Sequence, residues 1–241
     1  MVANVALKNT STKKIVFTAI GAALVFLGTV AISIYIPETK GYFNIGESMV
    51  YTIALLFGPT IGGVAGGLGS ALADIALGYY HYAPATFVIK FIEGFLAGYI
   101  YYKLKRYSEK KLTIIGFIIP VGLVALGTYY YSAYAELTLF GIATLGLYVA
   151  AYLWIAVAVA VALIFIYFIY KKEYELSIKV MALGIAGLEM VLGYFLYEYY
   201  VLGFGPAALA EVPFNIMQVI VGSTIAIPLA VQLKKTVKEI F

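Results

Sequence analysis

The chain has 241 residues, of which 63% are apolar and 12% charged, with a formal net charge of +4. A soluble domain carries roughly 25% charged residues, so there is too little polar surface here to cover a water-facing globule. Composition excludes a soluble enzyme, a nucleic-acid binder and a disordered chain, and leaves a polytopic membrane protein.

Lys8, Lys13 and Lys14 stand ahead of or at the start of the first apolar run, residues 14–36. That run is too long for a signal-peptide core and has no convincing cleavage site, so it is read as a retained first span. Ala19 and Ala23 lie four apart on one face of it, a spacing that suits close helix packing within the chain or against a partner. A loop carrying Asn44 and Glu47 leads to a short run, 47–58, which ends at Gly58-Pro59, where the helix breaks and the chain turns back. The third run, 60–80, contains GGVAGGLGSALAD (62–74). This is no phosphate loop, because the Gly-Lys-Ser/Thr ending is missing. Its small residues let helix backbones approach, with Gly63, Gly67, Ser70 and Asp74 on one face. Asp74 is expected to cap or brace that helix.

His81 and Tyr82 precede the fourth run, 84–104, on which Thr86, Lys90, Glu93 and Ala97 form a polar stripe tapering to a small residue. Runs 112–134 and 143–170 follow, nearly all apolar apart from Glu136 between them. The seventh run, 177–200, carries Glu189, Tyr194 and Glu198. The last, 211–233, repeats the stripe with Glu211, Asn215, Gln218 and Gly222. Only helices suit such runs, since a backbone in lipid must satisfy its own hydrogen bonds.

Loop charge orients the chain. With the N-terminus cytoplasmic, inner segments hold Lys8, Lys13, Lys14, Lys103, Lys105, Arg106, Lys110, Lys111, Lys171, Lys172, Lys179, Lys234, Lys235 and Lys238. Those are fourteen of the sixteen basic residues. The positive-inside rule then predicts about eight crossings and both termini in the cytoplasm. Tyrosines crowd the outer ends as an interfacial belt.

Under this topology the intramembrane polar groups lie in the outer half of their spans, near the middle, or in outer loops. A charge at the bilayer centre costs at least ~2.5–3.5 kcal/mol, so each needs a reason. A proton relay would spread such groups across the whole thickness; a pocket open to the outside would gather them as seen. Donors, acceptors and aromatic rings together suit a small, polar, heteroaromatic ligand. The candidate ligand-binding residues are Asn44, Glu47, His81, Tyr82, Lys90, Glu93, Glu189, Tyr194, Asn215 and Gln218. Each has a plainer alternative. Lys90 and Glu93 can form a structural ion pair, Asn215 and Gln218 can bond between helices, and His81 can be a polar loop residue. Glu211, two before Pro213, can simply start a helix.

One segment carries a resemblance. GYFNIGESMVYTIALLFGPTIGGVAGGLGSALADIALGYYHYAPATFVIKFIEG (41–94) is similar to the S components of energy-coupling factor (ECF) transporters. The match is to the branch with Asn-x-Gly-Asp/Glu, Ala-Asp, Tyr-Ala-Pro-x-Thr and Ile-Lys-x-x-Glu-Gly motifs. EMVLGYFLYEYYVLGFGPAALAEVPFNIMQVIVG (189–222) and Ala19-x-x-x-Ala23 resemble the same family. The resemblance covers about the first 105 residues and the last 60. It implies an all-α membrane protein with a six-helix core, 1–105 and 177–241, interrupted by an inserted transmembrane hairpin, 112–170. It also implies a non-enzymatic subunit without a cofactor in the plasma membrane of a prokaryote. Such a subunit captures a vitamin or precursor of the hydroxymethylpyrimidine, pyridoxine or riboflavin class from outside and works with a transmembrane coupling subunit and two ATPases. Ala19 and Ala23 match positions that contact the coupling subunit, and residues 37–46 match a lid.

Two other classes stand beside this. A stand-alone transporter coupled to protons or sodium could use Glu93 and Glu189, although no inverted internal repeat is visible. An intramembrane enzyme or scaffold lacks its usual parts: there is no cysteine, and one histidine cannot make a metal cluster.

Overall fold

Apolar sequence placed in lipid leaves the backbone no partner but itself, and helices dominate accordingly. A computed structural model describes residues 2–36, 39–106, 133–139, 143–149 and 174–240, with positions 155, 159 and 163. It forms two units, Met1–Lys105 with Ile178–Phe241, and Arg106–Ser177.

The first unit contains α1 (Val2–Ala31), β1 (Ser33–Ile36), β2 (Gly41–Asn44), α2 (Glu47–Phe57), α3 (Pro59–Leu77) and α4 (Ala83–Leu104). It is completed by the body of α5 (Tyr174–Leu196), a π-helical turn (Tyr197–Val201), a 3-10 turn (Gly205–Ala210) and α6 (Val212–Ile240). Among the described residues, five helical segments are long and apolar enough to cross a membrane. Helix α2 has 11 residues, about 16 Å by helical rise, roughly half of a hydrocarbon core.

Breaks fall where backbone chemistry demands them. Gly58 has φ 85° and donates its N–H to the Ala54 carbonyl, and Pro59 then opens α3. Gly78 ends α3 in the left-handed region at φ 88°, and the next N–H, on Tyr79, returns to the Asp74 carbonyl at 2.7 Å.

The glycine run serves packing. A methyl group on Gly63, Gly66 or Gly67 would come within 2.7–2.9 Å of the backbone carbonyls of Phe91, Lys90 and Phe87. Helices α3 and α4 can therefore lie backbone to backbone, which fixes the Lys90 face relative to Asp74. On α5, Gly193 closes against Ile89 of α4. Polarity is inverted relative to a soluble protein. Ile20, Leu24, Leu72, Val88, Leu192 and Ile220 point outward, while Glu47, Asp74, Lys90, Glu93, Asn215 and Gln218 are buried.

Three expectations are corrected. The first run is helical only to Ala31; Ser33–Ile36 is a strand, paired antiparallel with Gly41–Asn44 (Tyr35 opposite Tyr42) in what sequence read as span and loop. In Ser-Ile-Tyr-Ile, branched and aromatic side chains favour a pleated surface, and periodicity in a short apolar run cannot separate strand from helix. In the second unit, Ala133–Leu139 (β3) and Ala143–Val149 (β4) pair antiparallel, with Glu136 opposite Gly146, so neither the end of run 112–134 nor the start of run 143–170 is helical. Thr, Tyr and Val in these segments carry the same ambiguity. The rest of the expected inserted hairpin lies outside the described residues, apart from positions 155, 159 and 163.

Candidate ligand-binding site

Both predicted stripes fold as drawn. Thr86, Lys90, Glu93 and Ala97 form one buried face of α4; Glu211, Asn215, Gln218 and Gly222 lie together along α6 and its start. They converge at one end of the helices, where the β1–β2 hairpin lies, around a small pocket. From the predicted set, Asn44, Tyr82, Lys90, Tyr194, Asn215 and Gln218 line this cavity.

Beneath it sits an ion triad. Lys90 Nζ contacts Glu47 Oε2 and lies 2.9 Å from Glu93 Oε2. Tyr51 donates to Glu93 Oε1 at 2.8 Å. The Lys90 side chain is 5% exposed, that of Glu47 1% and that of Glu93 0%. Glu47 and Glu93 hold Lys90 from below, so its ammonium stays on the cavity wall.

Polar bonds clasp the hairpin to the helices. Tyr42 donates to Asp74 Oδ1 of α3 at 2.6 Å, and the Asn44 N–H donates to Gln218 Oε1 of α6 at 2.7 Å. Tyr82 reaches the Thr39 carbonyl at 2.8 Å and Glu198 Oε1 at 3.3 Å, and its one proton serves one of them at a time. Gly41 admits the Glu211 carboxylate: a methyl there would come within 2.6 Å of Glu211 Oε2. Burial first, then the Asp74 carboxylate, pushes the Tyr42 phenol above its ordinary value, so it remains a proton donor at neutral pH. Burial, then Glu211 and Glu198, does the same to Tyr82.

Aromatic surface completes the site. Tyr42 stacks on Tyr79 at 4.4 Å, and the Tyr82 and Tyr194 rings sit 6.4 Å apart, tilted. Tyr194 donates to Thr86 Oγ1 at 3.0 Å, and Lys90 Nζ lies 5.8 Å from the Tyr194 ring centre.

His81 and Glu189 are not brought to the cavity wall. His81 is exposed, its ring beside Tyr82 and its carbonyl accepting from Tyr197. Glu189 is half-buried on α5. Ala19 and Ala23 lie on the exposed face of α1. The wall also holds Thr29, Gly41, Tyr42, Ser70, Asp74, Thr86 and Glu211, absent from the predicted set. Thr86, Glu211, Ser70 and Asp74 stood on the faces already drawn, and that was the available signal. Tyr42 and Gly41 reach the wall only through the hairpin. Among the described residues no acidic or histidine cluster is arranged to hold a metal ion.

Three matches to known proteins bear on this arrangement. Residues 9–143 match the family described as ECF-type riboflavin transporter, S component. That stretch contains Asn44, Glu47, Tyr82, Lys90 and Glu93, while the contributions of α5 and α6 lie beyond it. Over 94 residues the chain is 44% identical to an uncharacterized protein in gap 3' region of Pyrococcus woesei, covering 39% of this chain and 63% of that protein. Over 120 residues it is 28% identical to the thiamine precursor transporter HmpT of Lactococcus lactis subsp. cremoris, covering 49% of this chain and 72% of HmpT.

Proposed function

Because the chain belongs to the family of ECF-type riboflavin transporter S components, we propose that it is the substrate-binding subunit of an ATP-driven importer of a vitamin or vitamin precursor. The observation that carries this reading is the polar, aromatic cavity beneath the β1–β2 hairpin, in a bundle whose exterior is apolar. Hydroxymethylpyrimidine, pyridoxine and riboflavin are the candidate ligands; the likeness to HmpT supports the first, and the family description the last. With both termini cytoplasmic, the cavity opens outward, and the hairpin acts as its lid. Asn44, Lys90, Asn215 and Gln218 supply donors and acceptors to the ligand, and Tyr82 and Tyr194 supply ring surface. Glu47 and Glu93 hold Lys90 in place. Ala19 and Ala23 present a flat face on which a transmembrane coupling subunit, itself driven by two ATPases, would sit.

Binding of a vitamin panel to purified protein tests the reading. Submicromolar affinity for one member is expected, weakened by Asn215→Ala without loss of fold. Uptake by vesicles containing this chain alone, collapsed by an ionophore, would instead establish an ion-coupled transporter.

A further inference from the structure

Charge on the cavity wall is unbalanced. Lys90 is the one basic residue among those that line it, and Glu47 and Glu93 already neutralise it from beneath. The wall then retains two acids, Asp74 from α3 and Glu211 from the start of α6, 3% and 4% exposed. Each lacks a donor at one oxygen. Tyr42 serves Asp74 Oδ1, but Asp74 Oδ2 has no hydrogen-bond partner; neither has Glu211 Oε2. Glu198, close behind on the π-helical turn, adds a third acid beside Glu211. Lys40, on the far side of the hairpin, is exposed, as is His81. No described basic side chain therefore answers the two carboxylates on the wall.

A desolvated carboxylate is costly unless a cation or strong donors meet it, and Asp74 and Glu211 both line the space a ligand would occupy. Tyrosine rings beside them favour a flat, electron-poor partner, because the ring faces carry negative charge. We infer that the ligand is a heteroaromatic base, permanently cationic or protonated on binding, whose charged edge is received jointly by Asp74 and Glu211. A neutral ring system would leave the acidic charge of the wall unbalanced and is discriminated against. The inference rests on the substrate-binding reading above and narrows its ligand class.

Calorimetric titration of the full-length protein in detergent, with five probes at one neutral pH, tests it. Thiamine, 4-amino-5-hydroxymethyl-2-methylpyrimidine and pyridoxine carry a cationic or basic ring; riboflavin and the 4-oxo analogue of the aminopyrimidine do not. One of the first three should bind at least about 100-fold more tightly than either neutral probe, as two charge-assisted contacts can supply. Asp74→Asn and Glu211→Gln, with melting points retained, should each weaken that probe at least about tenfold, the loss of one charge-assisted contact. Riboflavin or the 4-oxo analogue binding tightest would overturn the inference and leave the transporter reading standing. So would unchanged affinity in both folded variants, which would mean that the acids act as neutral hydrogen-bonding groups. Should a variant fail to fold, the aminopyrimidine to 4-oxo affinity ratio in the wild type decides alone. Binding by none of the five would remove the substrate-binding reading itself.

Discussion

Lys90→Met isolates what the buried charges do for the fold. The ammonium contacts two carboxylates that are 1% and 0% exposed, so its loss strands both away from water. Removing one partner of a buried ion pair costs about 3–5 kcal/mol, because the remaining charge is left uncompensated. For a chain of this size each kcal/mol moves the melting point by roughly 2–4 °C, giving an expected fall of about 6–20 °C. The assay is thermal unfolding of the detergent-solubilised protein, read by scanning fluorimetry and by loss of the monodisperse chromatographic peak. A second variant separates charge from packing: Lys90→Met with Glu47→Gln and Glu93→Gln removes the whole charged set and should recover most of the loss, since uncharged replacements of a buried triad are often neutral. If Lys90→Met alone melts within about 2 °C of wild type, a shift fitting roughly 0.5 kcal/mol and a surface change, the triad does not exist as drawn.

Three other predictions follow from the same geometry. Tyr42→Phe deletes the 2.6 Å bond from hairpin to Asp74; a hydrogen bond to a charged group is worth about 1.5–3 kcal/mol, so release of bound ligand should quicken roughly 10- to 100-fold. A stopped-flow dissociation rate equal to wild type would refute the clasp. Gly66→Leu puts a side chain where a bare methyl already comes within 2.9 Å of the Lys90 carbonyl. It should destabilise by about 1–3 kcal/mol or more, and an unchanged melting point would contradict the close α3–α4 approach. Ala19→Trp with Ala23→Trp changes only the exposed face of α1; the melting point should hold while the yield of co-purified coupling subunit falls, and an undiminished yield removes that face from the interface.

The sequence carried the helices of the first unit well, because their apolar runs are long and their breaks fall at Gly58-Pro59 and at Gly78. Both polar stripes were legible because a 3.6-residue period puts Lys90 beside Glu93 and Asn215 beside Gln218 whatever the surroundings. The hairpin was not legible. Ser33–Ile36 extends an apolar run without a break, and only pairing with Gly41–Asn44 makes it a strand. Asp74 and Glu211 show the same limit at the site. Alone, each looks like an acid bracing or starting a helix, and only the hairpin, which brings Tyr42 to one and Gly41 to the other, closes a cavity against them. Glu47 also changes meaning. It reads as a loop acid near the ligand, but folds under Lys90 as its counter-ion.

The proposed role requires that this cavity hold a vitamin or vitamin precursor. Its most direct test is mass spectrometry of small molecules released from the full-length protein after gentle purification from a vitamin-supplemented host. One heteroaromatic vitamin-class compound is expected near one equivalent per chain, retained by wild type and lost from Asn215→Ala with Gln218→Ala. An empty wild-type protein that also takes up no member of the vitamin panel, or a compound retained equally by the double variant, would contradict it.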